Sequence, residues 1–144
     1  MTTYDDDLRS ALAAYYAGGL LAEGGRADEV FREIGEMFPF VGSKIKWAMA
    51  NDVVQSKVSG EMAVAESVDF FCEVTKWMPE DEIVTYVGDS ATTFSITGRL
   101  SVFWQAVHLI VDVPQHHYFL GRSSGWCVSL TMEGDMNFGF SSVI

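Results

Sequence analysis

The spacing of apolar residues changes near the middle of the chain, and this change restricts the possible folds more than any other feature. Before Pro79 the apolar residues recur every three or four positions, as on one side of an α-helix. After Pro79, short segments alternate apolar and polar residues, as half-buried strands do. This order predicts an α+β fold, in which N-terminal helices pack on one face of a C-terminal antiparallel sheet.

The helical half divides into four predicted helices. Leu8 and Leu12 lie four residues apart in the first, and Val30 and Ile34 do the same in the second. Val64 and Val68 begin the apolar stripe of the fourth, whereas Trp47 falls outside the stripe of the third, so we expect this side chain to be exposed. The four helices are expected at residues 4–17, 28–38, 43–54 and 61–77.

The second half reads as strands, with one exception. Residues 100–112 are apolar on both sides, which leaves a buried strand or a buried helix open, and their length favours the helix. Turn residues at 122–125 and 133–135 separate the last three strands. The strands are expected at residues 83–87, 93–99, 116–120, 125–132 and 136–140.

Length and composition indicate one compact, cytoplasmic domain. A chain of 144 residues is the size of a single domain, so residues 1–144 are expected to share one core. The apolar stretches are too short to span a membrane, and Met1-Thr2-Thr3-Tyr4-Asp5 lacks a basic and then apolar signal segment. Cys72 and Cys127 lie in apolar patterns without metal-type spacing, which favours reduced, buried thiols.

The net charge of the chain indicates which class of molecule it binds. Twenty Asp and Glu oppose nine Lys and Arg, for a formal net charge of -11. An acidic surface repels nucleic acid and anionic membranes and attracts basic proteins. The basic residues are scattered, and Lys44, Lys46 and Lys57 are the nearest to a cluster. We therefore expect a basic protein partner, with no nucleic acid and no membrane.

No catalytic signature and no cofactor motif stands out. The glycine doublets at Gly18 and Gly24 lack the preceding strand and following Lys of a phosphate loop. Histidine and carboxylate groups could bind a metal or transfer protons, which leaves a small metal-binding or ligand-binding enzyme as the alternative function. Adjacent histidines on a strand point to opposite faces, which weakens that alternative. Its candidate residues are His108, Asp112, His116 and His117.

Acidic residues at predicted loops and turns are the expected partner-binding residues. Carboxylates there are free to meet the Arg and Lys of another protein, and exposed aromatic residues such as Tyr4, Trp47 or Trp104 would add apolar anchors. Exposed Trp47 or Trp104 would also permit a homodimer. The acidic candidates are Glu80, Asp81, Glu82, Asp89, Glu133 and Asp135.

Three short motifs occur near the C-terminus: Gly125-Trp126-Cys127, Thr131-Met132-Glu133-Gly134-Asp135 and Phe138-Gly139. With these motifs, its small size, its acidity and its missing active site, the chain resembles the immunity proteins that neutralise bacterial polymorphic and contact-dependent toxins. The resemblance implies a non-enzymatic inhibitor that binds a cognate toxin, often a basic nuclease, and blocks its active site or substrate groove. It assigns no site residues.

Overall fold

The computed structural model describes residues 3–41, 44–58 and 63–142. The helices are α1 (Thr3–Ala11), α2 (Ala13–Ala17), α3 (Ala27–Met37), α4 (Ala63–Thr75) and α5 (Leu100–Ile110), with a short 3-10 helix at Trp47–Met49. The strands are β1 (Leu21–Arg26), β2 (Phe40–Val41), β3 (Lys44–Ile45), β4 (Asn51–Lys57), β5 (Ile83–Gly88), β6 (Phe94–Arg99), β7 (His117–Gly121), β8 (Trp126–Leu130) and β9 (Asp135–Phe140).

Seven strands form one antiparallel sheet in the order β1-β6-β5-β7-β8-β9-β4. Strands β2 and β3 form a separate hairpin. The five C-terminal strands lie in the middle of the large sheet, and β1 and β4 from the N-terminal half close its two edges. The α+β class predicted from the sequence is confirmed.

Helices cover both faces of the sheet. Neighbouring residues of a strand point to opposite faces, so Tyr86 belongs to one core cluster and Val87 to the other. Helices α1, α2, α4 and α5 pack on the first face, as expected. Helix α3 instead packs its buried Val30 and Ile34 on the second face, against Tyr118 and its neighbours. The expected one-sided arrangement is therefore corrected for this helix.

Most of the predicted elements are confirmed. Helix α3 covers the second predicted helix, and α5 decides the ambiguous segment in favour of a helix. The first predicted helix is divided into α1 and α2 on either side of buried Leu12. Helix α4 confirms the fourth, although its predicted start at Glu61 lies outside the described residues. Both cysteines are free, and Cys127 is buried as expected, whereas Cys72 is only half-buried.

The third predicted helix is wrong. Residues 44–57 form β3, the 3-10 helix and β4, and the predicted start at Ser43 lies outside the described residues. Strand β4 pairs with β9, where Val54 lies opposite Phe138 and Gln55 opposite Asn137. This pairing between distant parts of the chain overrides a weak helical period, and the β-branched pair Val53-Val54 suits a strand.

Strand β1, which contains Gly24 and Gly25, is not among the elements predicted from the sequence. It forms the opposite edge of the sheet and pairs with β6. A Cβ atom at position 24 would lie 2.7 Å from the Ser95 hydroxyl, so glycine allows the close approach of the two strands. Among the described residues, no helix has the length and apolar character needed to cross a membrane.

Candidate functional site

The six predicted acidic residues lie at opposite ends of the sheet. Residues 80–82 precede β5 and Asp89 follows it, so the six residues of this strand, about 20 Å, separate them. Glu133 lies at the same end as Asp89, because His116 Nε2 is 3.7 Å from the Glu133 carboxylate and 4.0 Å from the Asp89 carboxylate. Asp135 begins β9 in the same region. The six residues therefore do not form one cluster.

The turn between β8 and β9 carries acidic residues that are already paired. Glu133 forms an ion pair with Lys44, and Asp135 forms one with Lys57 at 3.2 Å. The hydrogen bond from the Lys44 ammonium lowers the pKa of the Glu133 carboxyl. Because each carboxylate has a cation of the same chain beside it, this turn offers a basic partner little unbalanced charge.

Asp89, in the loop between β5 and β6, is hydrogen-bonded to His116, in the loop between α5 and β7. The Asp89 carboxylate accepts a hydrogen bond from the His116 backbone N–H at 2.9 Å and another from the Ser90 hydroxyl at 3.1 Å. The His116 Nδ1 atom accepts the Met132 backbone N–H at 2.9 Å. These bonds hold the loops together and leave Asp89 half-buried.

The histidine and aspartate residues of the alternative function do not form a metal site. His108 and Asp112 are exposed, whereas His117 is buried and its Nδ1 lies 2.7 Å from the Tyr86 hydroxyl. Burial lowers the pKa of His117 to about 4, so its ring is neutral near pH 7. Within the described residues, no three His, Cys, Asp or Glu side chains are placed to hold a metal ion.

Glu82 corrects one expectation at the other end of the sheet. Its side chain was expected to be free in a loop, yet the residue is only 4% exposed. The carboxylate accepts hydrogen bonds from the Trp126 indole N–H at 2.9 Å, the Ser124 backbone N–H at 2.6 Å and the Ser123 hydroxyl at 2.9 Å. A buried carboxylate requires such donors, and here they fix residue 82 to the β7–β8 turn.

Backbone hydrogen bonds hold the same loop from its other side. The carbonyls of Glu80 and Glu82 accept the N–H groups of Ser101 and Leu100, each at 3.0 Å. Those two N–H groups belong to the first turn of α5, where a helix has no internal acceptors for them. The loop thus caps α5 while Glu82 anchors it to the sheet. We call residues 76–82 the Trp77 loop.

The Trp77 side chain projects from this anchored loop into solvent. It is 82% exposed, the largest exposed fraction among the large apolar side chains that the structure describes. The Lys76 ammonium lies 5.5 Å from the centre of the Trp77 ring and pairs with Glu73 at 2.6 Å. Glu80 and Asp81 are exposed in the same loop. An exposed tryptophan is typical of a binding hot spot, and the two exposed carboxylates of the same loop would attract a basic protein.

Pairing within the chain leaves a large excess of negative charge. Among the residues that the structure describes, six of the nine Lys and Arg form ion pairs with Asp or Glu. Neither Glu80 nor Asp81 is among the acidic partners in these pairs. The charges of Glu80 and Asp81 therefore face solvent, where they can attract cations.

The aromatic residues named from the sequence differ in exposure. Tyr4 is 43% exposed, but Trp47 and Trp104 are half-buried, and the Trp104 indole donates to the Thr75 hydroxyl at 2.9 Å. Sequence reasoning missed Trp77, although a signal was present. The apolar stripe of α4 runs through Val64, Val68 and Phe71, and position 77 falls on the opposite side of that helical period.

Comparison with models of known protein families and with curated proteins finds no match to the chain.

Proposed function

We propose that this protein is a non-enzymatic immunity or inhibitor protein that binds a basic toxin domain through the Trp77 loop. The observation that carries the proposal is the exposed Trp77 side chain, which shares with exposed Glu80 and Asp81 a loop that buried Glu82 anchors. The resemblance of the C-terminal motifs to immunity proteins supports the same function.

The tryptophan supplies the apolar part of the proposed interface. A tryptophan that becomes buried removes about 150–250 Å² from water, and about 25 cal/mol per Å² then gives roughly 4–6 kcal/mol. This gross gain must offset the entropy lost on association, so one anchor needs charged neighbours and shape complementarity. The anchoring of the loop lowers the cost, because its backbone is already ordered before the partner binds.

The carboxylates supply attraction and orientation. The net charge of -11 accelerates the approach of a basic protein, and Glu80 and Asp81 meet its Arg and Lys side chains around Trp77. A nuclease toxin presents a basic cleft that holds nucleic acid. An acidic loop with an aromatic side chain can occupy such a cleft and exclude the substrate.

A capture experiment with charge-matched variants tests the proposal. The bait is this protein, in lysate of its native organism, and bound proteins are identified at low and high salt. One test variant is Trp77→Ala, and the other reverses Glu80→Lys and Asp81→Lys. The control reverses Glu29→Lys and Glu36→Lys, two exposed residues of α3, so both double variants change the net charge equally.

We expect one basic protein to be captured and released by salt, and its toxic or enzymatic activity to be inhibited at one-to-one stoichiometry. The Trp77→Ala variant should bind at least tenfold more weakly, as hot-spot truncations do. The reversal in the Trp77 loop should weaken binding far more than the control reversal. Equal loss in both double variants would show a general charge effect and would contradict this interface, and a captured protein whose activity is unchanged would contradict inhibition.

A further inference from the structure

A groove opens on the second face of the sheet, beside the part that α3 covers. Its volume is about 510 Å³, within the range of about 300–1,000 Å³ that is usual for small-molecule sites. We call it the β4 groove, because the edge strand β4 forms one of its sides. The residues that matter for the argument are Trp47, Gln55, Lys57, Ser129, Asp135 and Asn137.

The floor of the groove is a row of polar side chains on three adjacent strands. Gln55 on β4 lies opposite Asn137 on β9, which lies opposite Ser129 on β8. The Gln55 amide donates to the Asn137 carbonyl at 2.7 Å, and the Asn137 amide donates to the Ser129 hydroxyl at 3.3 Å. Asn137 and Ser129 are 7% and 2% exposed, so two polar groups are fixed at the bottom of the groove.

This row has donors and acceptors beyond those that it uses internally. Each amide has two N–H groups and a carbonyl oxygen, and the hydroxyl of Ser129 can also donate. The bond from Gln55 to Asn137 and the bond from Asn137 to Ser129 use one N–H of each amide. Beyond these two bonds the row still has donors, the second N–H of each amide and the Ser129 O–H, and an acceptor, the Gln55 carbonyl. Ligand hydroxyl groups, which both donate and accept, match this pattern.

Trp47 forms an aromatic wall. A Cβ atom at position 139 would lie 3.1 Å from the Trp47 ring, so Gly139 allows the ring to approach the backbone of β9. The ring also contacts Phe38, with centres 5.8 Å apart, which fixes its position. An aromatic wall above a polar floor suits a ligand that has an apolar side and a hydroxylated edge.

The charges at the rim balance one another. Lys57 pairs with Asp135 at 3.2 Å, and Lys44 pairs with Glu133. A charged ligand would have to compete with these pairs and lose its own hydration, whereas a neutral ligand would leave the pairs intact. The groove therefore favours neutral ligands.

We propose that the β4 groove binds a neutral polyhydroxylated small molecule, a mono- or disaccharide in chemical class. This site is separate from the Trp77 loop, and its occupancy does not depend on the proposed inhibitor function. The sugar ring packs on Trp47, and its hydroxyl groups bond with Gln55, Asn137 and Ser129.

Ligand-observed saturation-transfer NMR tests this site. The probes are glucose, galactose, N-acetylglucosamine and maltose, with glucose 6-phosphate as a charged comparison and trialanine with acetylated and amidated ends as an uncharged extended peptide. Isothermal titration calorimetry then measures affinity for the best probe at low and high salt. We expect a neutral sugar to bind with an affinity that salt does not change.

The variants use an exposed floor residue, so that folding is preserved. Gln55→Ala should weaken sugar binding about two- to tenfold, the loss of one or two neutral hydrogen bonds. Trp77→Ala, at the distant loop, should leave sugar binding unchanged. Binding of none of the neutral sugars would overturn the proposal. Tighter binding of glucose 6-phosphate or of trialanine, or an affinity that Gln55→Ala leaves unchanged, would overturn it as well.

Discussion

Replacement of Glu82 by alanine tests whether this residue anchors the Trp77 loop. The substitution removes the acceptor of three hydrogen bonds. The Ser123 hydroxyl is in an exposed residue and can bond with water instead. The Trp126 indole cannot, because Trp126 is 0% exposed, and Ser124, whose backbone N–H is the third donor, is a half-buried residue. The cost therefore arises from two shielded donors.

The expected loss of stability follows from those two donors. A buried donor left without an acceptor costs about 1–3 kcal/mol, and two give about 2–6 kcal/mol. The alanine variant no longer buries a charge, and this offsets part of that loss of stability, because a carboxylate loses hydration when it is buried. We expect Glu82→Ala to lower the free energy of unfolding by about 2–4 kcal/mol. Glu82→Gln keeps the side-chain size and one carbonyl acceptor, so its loss should be smaller.

Urea denaturation followed by far-ultraviolet circular dichroism measures the effect. The matched control is Asp81→Ala, the exposed neighbour in the same loop, which should change stability by less than about 0.5 kcal/mol. Near-ultraviolet circular dichroism of the folded Glu82→Ala variant should also change, since Trp126 loses its hydrogen bond. Equal stability of the two alanine variants would refute the anchoring role of Glu82.

Three further predictions concern buried groups. Burial lowers the pKa of His117 from about 6.5 to about 4, so the contribution of the neutral ring to stability is complete above pH 6.5 and falls by about 3 kcal/mol as the pH decreases to 4. His117→Gln should flatten this part of the stability profile, and a variant that keeps the wild-type slope would refute the role of His117. Asp5→Ala should cost about 1–3 kcal/mol in urea denaturation, because the buried carboxylate accepts the N–H and hydroxyl of Thr93, both at 2.8 Å; a neutral effect would contradict this role. Gly121→Ala should destabilise by at least about 1–3 kcal/mol in thermal scans, because the new Cβ would lie 2.2 Å from the Trp126 ring; unchanged melting would show that the ring can move at little cost.

The sequence predicts those elements whose own residues determine their structure. Val30 and Ile34 repeat at the helical spacing, so α3 was predictable within a residue or two. The apolar and polar alternation of β6 was equally clear. Strand β4 was not, because its conformation depends on pairing with β9, more than seventy positions later, and its own period is ambiguous.

The candidate site was only partly predictable for a similar reason. Turn composition places Glu80, Asp81 and Glu82 together, but it cannot distinguish the two exposed carboxylates from the one that reaches the Trp126 indole. That distinction depends on the neighbouring β7–β8 turn. Asp89 and Glu80 are likewise both predicted as loop residues. The sequence does not show that β5 separates them by its full length.

The helical period of α4 places Trp77 away from the core, but the apolar residues around it make this position look buried in the sequence. Its neighbours Val74 and Met78 pack against the core, so the segment reads as a continuous apolar helix end. Helix α4 ends at Thr75, whose hydroxyl donates to the Phe71 carbonyl at 2.6 Å, and the side chain of residue 77 then points away from the core.

The most direct test of the proposed interface is the indole N–H NMR spectrum of the ¹⁵N-labelled protein during titration with its captured partner. The chain has four tryptophans, and Trp77→Phe assigns the relevant signal. We expect the Trp77 resonance to shift or broaden first, while the resonance of buried Trp126 changes little. A Trp77 signal that stays unchanged at saturation would contradict the Trp77 loop as the binding surface.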